Sequence, residues 1–394
     1  MIPAFSNRIN QEPTSLDALF RLSGRADLIS FAGGYPDPTL FPKKELNVAF
    51  ESRIKNASAE IFQYRSTLGY EPLRKKISNY AKTIGVSCET DNIMLTQGAQ
   101  QGIKLLASLF LDDFDGVVVE APTYVGGLEA FNEHKPTYYE IPMEKDGMNL
   151  DILEDTLDKN EVKLIYTIPN FQNPTGYCMS IEKRKRLAKL ASEYNVIVIE
   201  DDPYRELRYV GESLPSIKSF DISENVVTLG SFSKILSPAL RCGWLIGAKE
   251  IVNQLSSLRL SYDCQSSNVL LEGIDEYLEQ NDIGKHIQKL RIAYKQKMDT
   301  MIRGLADNLP SECSFSKPKG GFFLWVTLPK ELDAKELLNN TKKVTFLEGS
   351  SLFALSKENN HLRLNFTGIT EKQIIEGCND LGNTIKDALL ELAV

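Results

Sequence analysis

Between about residues 70 and 250, short runs of β-branched and apolar residues alternate with segments patterned as helices. No other feature restricts the possible folds of this chain as much. The runs fall at 92–95, 117–120, 164–168, 196–200, 226–229 and 244–246. They are continuously apolar, as strands covered on both faces must be. The segments between them, such as 181–194, carry helical patterning and many charges. This alternation predicts an α/β fold built on a mostly parallel, doubly wound sheet. No internal repeat, low-complexity tract or long linker divides the sequence.

Beyond residue 280 the pattern changes. Ile283, Ile287, Leu290, Tyr294, Met298, Met301 and Leu305 are spaced 4, 3, 4, 4, 3 and 4, which is one face of a long amphipathic helix packed on the protein's own core. The runs 320–326 and 361–366 then look like strands of a smaller α+β unit, and the Gly/Pro-punctuated first 45 or so residues are candidates to join it. The expected organisation is a large α/β domain over 46–280 and a small α+β domain made of 1–45 plus 281–394, closing over an active site.

The chain has 394 residues, 42% of them hydrophobic and 25% charged, so a large core can be buried. A formal net charge of −8 argues against a nucleic-acid surface, while leaving room for a local basic pocket. The first residues are not patterned as a signal peptide, and no apolar run approaches the roughly 18 residues of a membrane span. The expectation is a cytoplasmic enzyme. The six cysteines are scattered without a CxxC pair and read as reduced, mostly core thiols. His134, His286 and His361 are too far apart for a local zinc motif, so no metal site is expected.

Four segments carry chemistry. In 226–234 a buried strand runs into Ser231, Ser233 and Lys234, with Arg241 seven residues on. A lysine amine can form imines with carbonyl carbon, and hydroxyls with a guanidinium can hold a phosphate dianion. A lysine merely capping a strand fits this segment equally well. In 93–110 a strand turns through Gly98, Ala99 and Gln100 into an apolar helix whose free N–H groups suit an anion. The segment 167–176 places Asn173, before Pro174, at the carboxyl end of a strand, where open α/β sheets build their sites, although Asn-Pro-Thr-Gly can also be a plain turn. In 199–207, Asp201 ends a buried strand and Tyr204 follows it. A buried carboxylate needs a partner, either a protonated heterocycle nitrogen or an arginine of the protein.

In this order, these segments resemble the class I/II aminotransferases of the aspartate-aminotransferase fold, with the resemblance running from Ser30 to Arg363. The wording of 31–38 and 170–176 is similar to the 2-aminoadipate, kynurenine and aromatic aminotransferase branch, and is shared with transcriptional regulators that carry aminotransferase-like modules. The resemblance implies the pyridoxal-phosphate-dependent transferase fold, with a seven-stranded type of sheet, and the cofactor pyridoxal 5′-phosphate. It makes Lys234 the catalytic residue, which would hold the cofactor aldehyde and then shuttle a proton. Asp201 would pair with the ring N–H, Asn173 and Tyr204 with the phenolate oxygen, and Tyr124 would stack on the ring. Gly98, Ala99, Gln100, Ser231, Ser233 and Arg241 would form the phosphate cup. Arg363 would clamp the substrate α-carboxylate, with Gly34 and Asn173 beside it. Tyr64 would reach the phosphate of a neighbouring subunit, making the functional unit a homodimer.

The resemblance implies a 2-oxo acid such as 2-oxoglutarate as acceptor and an aromatic, long aliphatic or 2-aminoadipate-like donor. Gly33 to Pro42, with Tyr35 and Leu40, is expected to line the side-chain pocket; Arg21 and Arg25 lie upstream and could meet an acidic side chain, but read first as solvent-facing helix residues. Two other readings stand beside the aminotransferase. One is a lyase or racemase on the same scaffold. The other is a cofactor-binding regulator, disfavoured because the pattern begins by about residue 28, which leaves no room for a helix-turn-helix, and because the net charge is negative.

Overall fold

The computed structural model describes residues 28–356 and 358–392. Arg21 and Arg25 lie outside them. Among the described residues fourteen strands occur in chain order: β1 Ile29–Ser30, β2 Ile93–Thr96, β3 Gly116–Ala121, β4 Thr137–Glu144, β5 Gly147–Met148, β6 Leu164–Thr167, β7 Ile197–Asp201, β8 Val226–Ser231, β9 Gly243–Ile246, β10 Ser314–Phe315, β11 Phe323–Thr327, β12 Val344–Thr345, β13 Leu347–Glu348 and β14 His361–Asn365.

The main sheet has eight strands in the order β2-β9-β8-β7-β6-β3-β4-β5. Strands β4, β3, β6, β7 and β8 run parallel. β9 is antiparallel to both β8 and β2, so β2 points the same way as the parallel set. Setting aside the two-residue β5, this is the mostly parallel sheet that the alternation predicts, with the seven strands that the resemblance implies. Val117, Val118, Val119, Val226, Val227, Ile165 and Ile199 are fully buried, because helices cover both faces.

All six predicted strands form, and β4 is an addition. Its sequence, Thr-Tyr-Tyr-Glu-Ile-Pro-Met-Glu, carries a proline and two glutamates, and only Ile141 in it is buried. That is the composition of a sheet margin, where a missing N–H and charged side chains are tolerated and the apolar signal fades.

A second sheet, in the order β10-β11-β14-β13, is antiparallel throughout. β1 pairs separately with β12, bringing the segment after Ile29 alongside this unit. The run 320–326 is strand only from Phe323, because Gly321 turns the backbone at φ +74°. The long helix spans Ile283–Asn308 and buries Ile287, Leu290, Tyr294, Met298, Met301 and Leu305, the face that the spacing predicts. It packs along the final helix, Glu371–Leu392.

All six cysteines are free; Cys88, Cys242 and Cys378 are buried, whereas Cys264 is exposed rather than a core thiol. Among the described residues no helix is long and apolar enough to cross a membrane. Among them, too, no group of three His, Cys, Asp or Glu side chains is placed to hold a metal ion.

Candidate active site

Because β2, β3, β6, β7 and β8 point the same way, their carboxyl ends share one edge of the sheet. A cavity of about 500 Å³ opens there. Asp201 ends β7 and Ser231 ends β8, while Gly98 follows β2, Tyr124 follows β3 and Asn173 follows β6. The opposite wall comes from the second sheet, with Phe323 on β11 and Arg363 on β14, and from Gly34, Tyr35 and Pro36 after β1. Of the site residues expected from sequence, Gly34, Gly98, Ala99, Gln100, Tyr124, Asn173, Asp201, Tyr204, Ser231, Ser233, Lys234, Arg241 and Arg363 all line this cavity.

Tyr64 does not. It is 81% exposed on the outer surface of the chain. Leu40, expected in the side-chain pocket beside Tyr35, instead packs against the main core.

The cavity is charged in a particular way. Lys234 Nζ donates to Gly34 O at 2.9 Å and sits 5.5 Å from the centre of the Phe322 ring. Burial, reinforced by the nearby charges of Arg363 and Arg241 and opposed by Asp201, pulls its ammonium down to about 8. Arg363 is 1% exposed. Its Nη1 donates to Asn173 Oδ1 at 2.9 Å, its Nη2 to Ala32 O at 2.6 Å, and its guanidinium lies 4.3 Å from the Phe323 ring centre. Among the described residues no carboxylate is within ion-pair distance of it, and its Nε has no partner. Burial pulls it down only to about 10, so it stays protonated at neutral pH.

Asp201 is 3% exposed; Tyr166 donates to its Oδ2 at 2.7 Å, and its Oδ1 has no partner. Burial is the main cause that lifts this carboxyl to about 7; Tyr166 and Lys234 lower it and Asp202 raises it. Burial also pushes the Tyr124 phenol up to about 12 and the Tyr204 phenol higher still, so both remain hydrogen-bond donors.

At the other end, Gly98 stands at φ +82° immediately before the helix Ala99–Phe110, whose N-terminus has no side-chain cap. A Cβ there would lie 2.7 Å from Arg241 Nη2, so glycine is required both by the backbone angle and by the guanidinium. Arg241 is itself left-handed, at φ 44° and ψ 43°, and its Nη2 donates to Gln97 O at 2.7 Å. Ser231 Oγ donates to Ser233 Oγ at 2.9 Å beside it. Uncapped N–H groups, two hydroxyls and a guanidinium together make a candidate anion cup.

Sequence reasoning missed the layer beneath the cavity. Glu120, fully buried on β3, accepts from Thr167 Oγ1 at 2.5 Å and from Gln172 Nε2 at 3.0 Å. Gln172 Oε1 in turn accepts from Thr175 N and Oγ1, so this chain of bonds grips both flanks of Asn173. Asp202 holds Asn170 and is ion-paired with Arg205. Glu120 and Tyr166 sit inside apolar strands, where a lone polar residue gives no signal about its partner. Gln172, two positions before Pro174, was visible in its motif, but nothing there marked it as a brace.

The sheet and the cavity at its carboxyl edge define a class, the aminotransferases of the aspartate-aminotransferase fold. The chain belongs to the family described as aminotransferase class I and II, whose sequence profile matches residues 32–381. It is similar to aromatic-amino-acid aminotransferase 1 of Thermococcus litoralis, 36% identical over 389 residues that cover 97% of this chain and 93% of that protein. It is 34% identical to the 2-aminoadipate transaminase of Thermus thermophilus over 386 residues, 96% of this chain and 95% of that one. The crystal structure of Pyrococcus horikoshii kynurenine aminotransferase, solved in complex with PMP, superposes with a TM-score of 0.94 at 38% identity, covering 98% of this chain and 97% of that one. The protein is an enzyme, a pyridoxal-phosphate-dependent aminotransferase.

Proposed function

We propose that the cavity holds pyridoxal 5′-phosphate on Lys234 and that the enzyme moves the amino group of an aromatic, long aliphatic or 2-aminoadipate-like L-amino acid to a 2-oxo acid such as 2-oxoglutarate, as a cytoplasmic homodimer. The observation that carries this reading is a pair of buried groups lacking a partner, Asp201 Oδ1 and Arg363 Nε, in one cavity with Lys234. A buried carboxylate oxygen and a buried cation left like this cost stability unless a ligand completes them. Three cations, Lys234, Arg241 and Arg363, face one carboxylate, Asp201. The excess positive charge suits a phosphate dianion and an α-carboxylate together.

The residues present therefore fit the cofactor. Gly98, Ala99, Gln100, Ser231, Ser233 and Arg241 would take its phosphate. Asp201 would take the ring N–H, Asn173 and Tyr204 the phenolate oxygen, and Tyr124 a ring face. When bound, the cofactor supplies an electron sink for charge developing at the substrate α-carbon. Lys234, as a free amine, would carry the proton from that carbon. The fork of Arg363 would hold the α-carboxylate in two-point contact, fixing which α-bond stands where that charge can be delocalised.

The unit made of 1–45 and 281–394 would close over the domain 46–280, because Arg363 and Gly34 come from the first and Asn173 and Lys234 from the second. Tyr64 would complete the phosphate cup of a second copy; its exposure is consistent with that role.

The relatives named for aromatic amino acids, 2-aminoadipate and kynurenine support the donor class. A panel of amino acids with 2-oxoglutarate is expected to convert the cofactor's near-visible band and to yield glutamate, most efficiently with aromatic or long-chain donors. Pyruvate and ammonia without glutamate would replace this reading by a lyase.

Arg363→Ala is expected to raise KM for amino acids and oxo acids alike by about 100-fold, the scale of a buried two-point ion pair, while cofactor stays bound. Loss of cofactor instead would show that Arg363 serves the phosphate or the ring. Arg363→Lys keeps the charge without the fork and is expected to recover little of the loss.

A further inference from the structure

We propose that Tyr166 is a positioning residue for the reaction: one buried hydrogen bond to Oδ2 keeps Asp201 an ionised acceptor with its other oxygen turned to the cavity. This rests on the reading of the cavity as a pyridoxal 5′-phosphate site. Tyr166 itself does not line the cavity. It is fully buried on β6, against Ile199 of β7, and its hydroxyl reaches Asp201 Oδ2 at 2.7 Å.

A carboxylate removed from water stays ionised only if donors or cations compensate it. Among the described residues Tyr166 is the hydrogen-bond donor to the Asp201 side chain, assisted at longer range by Lys234 and opposed by Asp202. The Tyr166 phenol is itself held far above its ordinary range by burial and by the Asp201 charge, so its proton is always available to donate. It leaves Oδ1 as the oxygen free to meet a ring N–H.

The surrounding chain is shaped for that ring. Gly126 and Gly127 are consecutive glycines in the first turn of the helix Val125–Asn132, a costly choice for a helix. A Cβ on Gly127 would lie 2.9 Å from Tyr166 Cε1, and one on Gly126 would lie 2.5 Å from Tyr124 Cζ. Each glycine thus makes room for one tyrosine, Tyr124 in the cavity and Tyr166 behind it. Phe131 meets Tyr166 edge-on at 5.6 Å and 70°. A phenylalanine at 166 would fill the same space, so packing alone does not account for the hydroxyl.

The test is a double-mutant cycle on the full-length protein. Wild type, Tyr166→Phe, Asp201→Asn and the double variant are stripped of cofactor and titrated with pyridoxal 5′-phosphate, following its near-visible absorbance. Tyr166→Phe is expected to weaken cofactor binding about 10-fold or more, the scale of one hydrogen bond to a charged group. On the Asp201→Asn background the same change is expected to matter less than about 2-fold, because the two residues act as one. A merely structural role would give equal losses on both backgrounds; that result, or wild-type affinity for Tyr166→Phe, overturns the proposal. If Tyr166→Phe does not fold, a fluorinated tyrosine at 166, which keeps the ring in place and changes only the hydroxyl's strength as a donor, is expected to shift cofactor affinity on the wild-type background and not on Asp201→Asn, and equal shifts or unchanged affinity overturn the proposal there. Wild type that binds no cofactor would end the reading of the site and this inference with it. Wild-type binding with an indifferent Tyr166→Phe ends the inference alone.

Discussion

Lys234→Ala is expected to lose the near-visible absorbance of the purified protein and about 10⁴-fold or more of its turnover, since the nucleophile and the proton carrier disappear together. The geometry supports both roles for one atom. Among the described residues Lys234 Nζ has one acceptor, Gly34 O at 2.9 Å, and it otherwise faces aromatic rings and the cavity. Burial and the charges of Arg363 and Arg241 bring its ammonium down to about 8, close enough to neutrality for a useful fraction of free amine. Alanine leaves the fold intact, because no ion pair among the described residues depends on Lys234, and it leaves space for a small amine. Added methylamine is therefore expected to restore a measurable part of the rate. Unchanged absorbance and turnover would remove the central claim.

Asp201→Asn is expected to move two measurements in opposite directions. Proton removal from the substrate should slow by several orders of magnitude, because an amide cannot hold the ring nitrogen protonated. The cofactor-free variant should nevertheless be more stable than cofactor-free wild type at pH 8. Asp201 has its carboxyl raised from 3.8 to about 7 by burial, so the folded state binds the extra proton between those values. Its contribution to stability is fully present below 3.8 and is lost as pH rises through about 7. Asparagine removes that loss, so the stability gap in favour of the variant should widen from pH 5.5 to about 7 and then level off, at a few kcal/mol. Thermal melts of both proteins across this range check the sign. A gap that narrows with rising pH would mean that folding holds this carboxyl below 3.8 instead of raising it, and a mild kinetic effect would mean its partner is not the ring nitrogen.

The sheet was legible because strands buried on both faces must be apolar throughout, as at Val117–Val119 and Val226–Val227. β4 was not, because a strand at the sheet margin keeps Pro142 and its glutamates at little cost. The cavity-facing residues were legible because the proposed chemistry restricts their type: a lysine for an imine, and a guanidinium for a two-pronged fork. The residues behind them, Tyr166, Glu120 and Gln172, were not. Their roles depend on which strand lies next to which, and β3, β6 and β7 become neighbours only in the folded sheet. Leu40 shows the limit from the other side, since a segment can line a pocket at Tyr35 and leave it five residues later.

The two walls of the cavity come from different sheets. One carries Lys234, Asp201 and the anion cup, and the other carries Arg363, Phe323 and, beside it, the Gly34–Pro36 segment. Insertions or substitutions on the second wall can reshape the guest's side-chain space while the first wall keeps its protonation states and distances. A lineage built on this plan can diversify its diet without reinventing its chemistry. Swapping the second-wall segments between members of such a lineage is a direct route to new donors.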